Sequence, residues 1–219
     1  LLALTGGFGI DFSFLAPLFD RAVYMERQPE LCRIAAHNFK TLGLAQAEIR
    51  ETDSSLSPDE WPDAACCFVD PARRDTVGRK TVAIEDCEPD LSILQEAIRR
   101  KAAFSLIKLS PMLDIRTALR TLAHVAEVHA VSVQGECKEL LLVMTRQKTE
   151  KTACHCVNLG TEDPTFTFTL TEEEEAACTY SDTPGRFLYE PNASVMKCGG
   201  FRSLATRYGL RKLHPNSHL

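Results

Sequence analysis

Short apolar runs alternate with helical patterns along residues 1–148. Val23–Met25 (VYM), Ala65–Val69 (ACCFV), Phe104–Ile107 (FSLI) and His129–Val133 (HAVSV) read as buried strands. A helix is predicted between the first two. Pro29 suits a first turn, Leu31, Ile34, Ala35, Asn38 and Leu42 follow at helical spacing, and Gly43 is the stop. Ala126–Val133 and Leu140–Thr145 are separated only by the polar Gln134–Glu139. That is too short for a crossover helix, so the two strands should pair antiparallel. Repeated β-then-α units predict an α/β fold whose mostly parallel sheet has helices on both faces and an antiparallel last hairpin.

The pattern changes near residue 149. Thr152–Asn158 and Thr165–Leu170 have strand character, the second with strict alternation, TFTFTL. Glu172–Glu175 reads as a solvated helix start. Asn192 is placed to cap one helix from Ala193 to about Tyr208. Residues 149–219 are therefore expected to form a second, small α+β module after a first domain of residues 1–148. Residues 149–185 carry one basic and eight acidic residues, and residues 186–219 carry six basic and one acidic.

Composition adds exclusions. A chain of 219 residues, 44% hydrophobic and 25% charged, is ordinary for a soluble globular protein and large enough to need no disulfide or metal staple. The net charge of −5 is too mild to name a partner. No apolar run approaches the roughly 18 residues of a membrane span, and no signal peptide is evident. The chain opens on LLALTGGFG and stops at HPNSHL, which reads as a piece of a longer protein. Nine cysteines at irregular spacing, without a CxxC pair, suit buried reduced thiols in a cytoplasmic protein. Cys154-His155-Cys156 has the look of half a zinc site but lacks a second ligand pair, so no metal is expected. His37, His124 and His129 lie on helix or strand patterns and read as packing or surface residues.

Four features carry chemistry. In the first, an apolar strand runs into Thr5-Gly6-Gly7-Phe8-Gly9 and then, past Asp11, into a helix pattern from Phe12 to Phe19. Glycines let the backbone turn tightly and approach a ligand, and the helix start supplies N–H groups. A tight structural turn accounts for the glycines equally. Phe12 stands where a dinucleotide fingerprint wants a small residue, and no GK[ST] follows, so neither NAD nor a P-loop fits. In the second, Val23–Met25 ends in Glu26, which could hold both hydroxyls of a ribose; a surface glutamate is the alternative. In the third, Asp53 follows a short strand, where it could face an adenine amino group or simply solvent. In the fourth, the buried run Cys66–Val69 ends in Asp70-Pro71. Pro71 forces Asp70 to be extended and ends the ladder, fixing a carboxylate and a carbonyl at the sheet mouth. Such a pair can accept hydrogen bonds from a substrate amine, or it can be a plain strand-to-loop break.

In this order, the four features resemble class I S-adenosylmethionine-dependent methyltransferases. The DPARR string at 70–74, IKLSPMLDI at 107–115 and YEPNASVMK at 189–197 are similar to the bacterial, Bacteroidetes-type THUMP-like-domain methyltransferase group. The resemblance spans essentially the whole chain. It implies a Rossmann-like methyltransferase sheet followed by a small ferredoxin-like module and the start of a THUMP-like segment. It also implies S-adenosylmethionine over Thr5–Gly9, with ribose on Glu26 and adenine near Asp53. Asp70 and Pro71 would orient the acceptor. The family pattern carries an acid just before the Leu-Thr-Gly-Gly run, supporting the loop or the cofactor's methionine moiety; this chain has Ala3, with Asp11 in the same loop.

RNA is the expected partner, since THUMP domains bind it and basic residues follow the Asp-Pro corner. Arg73, Arg74, Arg79 and Lys80 are candidate substrate contacts. Salt bridges to Asp75, Glu85 or Asp86 are the alternative use of Arg73 and Arg74. Two other functions stay open: methylation of a small molecule or protein, and non-catalytic RNA binding on a degenerate methyltransferase fold, for which Ala3 is the argument.

Overall fold

A computed structural model describes residues 1–73 and 83–218. Its elements are β1 (Leu2–Ala3), α1 (Ile10–Leu15), β2 (Ala22–Glu26), α2 (Pro29–Thr41), β3 (Ala47–Glu51), β4 (Ala64–Val69), β5 (Ala72–Arg73), β6 (Cys87–Glu88), α3 (Leu91–Lys101), β7 (Ala102–Leu109), α4 (Ile115–Thr121), β8 (Val125–Val133), β9 (Glu136–Thr145), β10 (Ala153–Leu159), β11 (Thr165–Thr169), α5 (Leu170–Glu175), β12 (Thr179–Tyr180), α6 (Ala193–Cys198), α7 (Phe201–Tyr208) and β13 (Arg211–Lys212).

Nine strands form one sheet in the order β11-β10-β8-β9-β7-β4-β1-β2-β3. Strands β3, β2, β1, β4 and β7 are parallel neighbours, and β9 runs antiparallel between β7 and β8. The expected mostly parallel sheet with an antiparallel hairpin is therefore present. The chain leaves β1 toward β2 on one side and returns to β4 on the other, which makes the β1–β4 boundary a switch point where the loops diverge.

Alternation along the central strands feeds two cores. Leu1, Ala3, Ala22, Tyr24, Cys66 and Phe68 pack on one face with Phe12 of α1 and Cys32, Ala35 and Phe39 of α2. Leu2, Leu4, Val23, Met25, Cys67 and Val69 pack on the other with residues of α3, α4 and α6. Burial holds the Cys66 thiol up at about 11, so it stays protonated and apolar in character.

Three local readings are corrected. The loop between β8 and β9 is only Gln134-Gly135, both at positive φ (52° and 78°), as a twist-matched two-residue hairpin requires. The polar positions after it alternate on β9 rather than forming a loop. The helix expected from Ala193 to Tyr208 is two helices, because Gly199 turns left-handed (φ 74°) and Gly200 abuts Phe168, where a Cβ would lie 2.4 Å from the ring. Asn192 precedes the first of them without a side-chain capping bond. Finally, the acidic run is not wholly solvated: Glu173 is buried and accepts the backbone N–H groups of Arg202 and Ser203 at 2.8 Å each. A carboxylate there satisfies the free donors at the start of α7.

The composition change at residue 149 falls between β9 and β10. Strand β10 nevertheless hydrogen-bonds in parallel to β8, and β11 pairs with β10, so the sheet continues through the change.

Candidate functional site

The carboxyl ends of β1, β2, β3 and β4 open on a cavity of about 330 Å³. Thr5, Gly6, Gly7, Phe8, Gly9, Asp11, Glu26, Asp53 and Asp70 all line it. Nine positions spread over 66 residues of sequence thus meet at one place because each follows a parallel strand of the same sheet, or opens the first helix.

The glycine loop is fixed by close approach. A Cβ on Gly6 would lie 2.2 Å from the Tyr24 ring, and one on Gly9 would lie 2.7 Å from Phe39. Gly7 and Gly9 also take positive φ, 56° and 75°. Gly9 occupies the cap position of α1. Tyr24 donates its hydroxyl to the Gly7 carbonyl, and burial pushes that hydroxyl's pKa far up.

Glu26 ends β2 as a buried carboxylate. Its Oε2 accepts the Gly7 N–H and its Oε1 the Gln28 N–H, each at 2.9 Å. Asp53 accepts the backbone N–H and hydroxyl of Ser55 through Oδ1 at 2.9 and 2.6 Å. Those bonds hold its carboxyl below the usual range. Its Oδ2 lies 3.9 Å from Arg27, which also pairs with Glu88 at 2.6 Å.

Asp70, just past β4, is placed by Thr5 after β1 and Lys108 on β7. Its backbone N–H donates to the Thr5 hydroxyl at 2.7 Å. Lys108, near the end of β7, stands 3.2 Å from its Oδ2 and 3.0 Å from Asp11 Oδ2. Burial raises the Asp70 pKa, with Lys108 opposing and Asp11 adding to the shift. For Lys108, burial works against the charge, but the bonds and charges of Asp11 and Asp70 overcome it and keep the ammonium strongly protonated.

Asp70 also lines a second cavity of about 300 Å³ with Pro71, Lys108, Ser110, Lys138 and Glu139. Burial raises the Glu139 carboxyl, opposed by Lys108. Pro71 faces this second cavity and not the first. Arg73 contributes its backbone to β5, which pairs with β6. Arg74, Arg79 and Lys80 lie outside the described residues. Ala3 is fully buried beside Phe12 and Tyr24 and reaches the first cavity.

Sequence reading missed Lys108, Glu139, Arg27 and Glu88. Lys108 left one trace, a cation at the carboxyl end of an otherwise apolar strand. The others carry no local signal, since β9 and the Glu88 segment reach the site only through pairing across the fold.

Among the described residues, no helix is long and apolar enough to cross a membrane. Residues 187–219 match a family described as a ferredoxin-like domain. The chain is 39% identical to a crystal structure of a methyltransferase candidate from Porphyromonas gingivalis W83, with a TM-score of 0.83 over 99% of this chain and 55% of that one. It is 25% identical to two uncharacterized S-adenosylmethionine-dependent methyltransferases of Mycobacterium tuberculosis, over 96% of this chain and 55% of theirs. A class I S-adenosylmethionine-dependent methyltransferase candidate from Listeria monocytogenes shares the fold at a TM-score of 0.53 and 8% identity, over 73% of this chain and 58% of that one. The chain spans about half the length of the relatives it matches. It has the class I methyltransferase fold.

Proposed function

We propose that this chain binds S-adenosylmethionine over the Gly6–Gly9 loop and directs its methyl group to an amine presented at Asp70, on a base in structured RNA. The observation that carries the reading is that Asp70 belongs to both cavities, so a donor in one and an acceptor in the other meet at its carboxylate.

The residues fit the cofactor. A cavity of about 330 Å³ is within the range of small-molecule pockets. Each Glu26 oxygen accepts one backbone N–H and keeps a further lone pair for a ribose hydroxyl. Asp53 keeps Oδ2 clear of the Ser55 turn, suiting an adenine amino donor. When bound, S-adenosylmethionine supplies an electrophilic methyl on a sulfonium. No covalent nucleophile is needed from the protein, whose part is alignment and exclusion of water. Asp70 accepts an N–H of the acceptor amine and turns its lone pair toward the methyl. Lys108 holds that carboxylate in place, and the Thr5 hydroxyl anchors the Asp70 backbone by accepting its N–H.

RNA as substrate rests on charge. Arg186, Arg202, Arg207 and Arg211 remain exposed in the basic C-terminal stretch. Lys197 and Lys212 do not contribute, since they donate inward to the carbonyls of Leu113 and Pro215. Lys138 adds a cation at the acceptor cavity. On this reading residues 1–148 are the methyltransferase domain, and residues 149–219 are a ferredoxin-like module opening into the THUMP-like segment of a cytoplasmic protein.

The test is calorimetry with S-adenosylmethionine, followed by transfer of tritiated methyl to fractionated cell extract. Stoichiometric binding and label in RNA are expected. Asp70→Ala should abolish transfer while leaving cofactor affinity within a few-fold. Absence of cofactor binding would sink the enzyme reading. Label appearing only in protein or small molecules would sink the RNA assignment.

A further inference from the structure

The sheet face opposite α6 holds a second group of ligating side chains, far along the sheet from the glycine loop. Glu127 and His129 lie two apart on β8 and so project from the same face. β10 runs parallel to β8 with His155 directly across from His129. Their rings stack at 4.5 Å between centroids, 21° apart. Glu127 Oε2 stands 2.8 Å from Nε2 of His129 and 4.0 Å from Nε2 of His155. On the other side of its ring, His155 Nδ1 is 3.1 Å from the Thr167 hydroxyl of β11.

We propose that Glu127, His129 and His155 bind one divalent transition-metal ion of the zinc class. The three ligand atoms lie within 4.8 Å of one another, and all three residues are half-buried. Two imidazole nitrogens with one carboxylate oxygen suit zinc, nickel or cobalt, whereas magnesium and calcium take oxygen sets. Bonds of about 2.0–2.2 Å in a tetrahedron put ligand atoms roughly 3.3 Å apart. The observed 2.8 and 4.0 Å bracket that spacing, and binding requires the two stacked rings to turn out of parallel so that both Nε2 lone pairs converge on the ion. Water completes the coordination. Thr167 engages the far nitrogen of His155, the kind of partner that fixes a ligating ring and leaves Nε2 for the metal.

The ion ties β8 to β10, the strand through which the chain after residue 149 joins the sheet. It also resolves the Cys154-His155-Cys156 motif. Strand alternation buries the two cysteines against α6, and His155 finds its partners on β8 instead.

The test uses the tag-free chain, freed of metal by chelation, with Co²⁺ as an absorbing probe and Zn²⁺ by calorimetry. One ion per chain is expected, with visible cobalt bands and no sulfur-to-cobalt charge-transfer band. His129→Gln and His155→Gln should each abolish binding, and Thr167→Val should weaken it on the order of tenfold. Zn²⁺ should raise Tm in the native chain and not in His155→Gln. Because the variants sit on three strands, one that fails to fold leaves the others to decide. A thiolate charge-transfer band, binding unchanged in folded His155→Gln, or no binding of either ion up to millimolar concentration would each overturn the site.

Discussion

The ammonium of Lys108 stands 3.2 Å from the carboxylate of Asp70, across neighbouring parallel strands β7 and β4. Burial favours the protonated carboxyl of Asp70, and Lys108 is the charge that opposes it. Lys108 therefore favours the ionised form of Asp70, the form that only accepts hydrogen bonds.

Replacing Lys108 by Met should move the acidic limb of the methyl-transfer pH profile upward. Removing the cation leaves burial and the Asp11 charge, both of which raise the Asp70 pKa. On that limb, transfer at a fixed pH should fall about tenfold for each pH unit by which the limb moves. Lys108→Arg should restore most of the native profile. A Lys108→Met profile that superimposes on the native one would remove Lys108 from this role.

Glu26→Ala leaves the N–H groups of Gly7 and Gln28 without their acceptor. Hydrogen bonds to a charged group are worth about 1.5–3 kcal/mol each. The expected result is a lower Tm together with at least an order-of-magnitude loss of S-adenosylmethionine affinity. Calorimetry on the folded variant separates the two effects.

Gly6→Ala forces a Cβ against the Tyr24 ring at 2.2 Å, inside a fully buried aromatic cluster. Overpacking of this kind costs about 1–3 kcal/mol. Urea unfolding should report that loss, and cofactor binding should fall with it because the loop must shift. Retention of native stability would mean the loop has slack here.

Asp114 caps α4 by accepting the Thr117 N–H at 2.7 Å, which holds its carboxyl below the ordinary value of 3.8. The depressed pKa means that its contribution is present above 3.8 and is lost as pH falls through the folded-state value. Asp114→Ala should therefore cost about 1 kcal/mol at neutral pH. The gap between variant and native chain should close in acid. Denaturant titrations at pH 7 and at successively lower pH below 3.8 follow the gap as it closes.

Much of the fold was legible because its signals are local. Pro29 and Gly43 bracket α2, and TFTFTL alternates as β11 does. The single helix expected after Asn192 breaks at Gly199-Gly200, where the left-handed turn of Gly199 is a local signal but the need for glycine at 200 comes from Phe168, a residue 32 positions away. The Glu172–Glu175 run misled for the same reason: Glu173 is held inward by the start of α7, which no local pattern reveals.

The sequence by itself determined the strand-end positions. Glycine after β1, an acid after β2 and Asp-Pro after β4 are written locally, since each is a chain-geometry or charge choice at one strand terminus. Parallel pairing then brings such termini to one edge whatever lies between them. Only the tertiary structure decided which side chains meet. Lys108 reaches Asp70 because β7 pairs with β4, and His155 faces His129 because β10 pairs with β8 in register. Strand register is set by side-chain burial over the whole sheet, so these contacts have no counterpart in any short stretch of the chain.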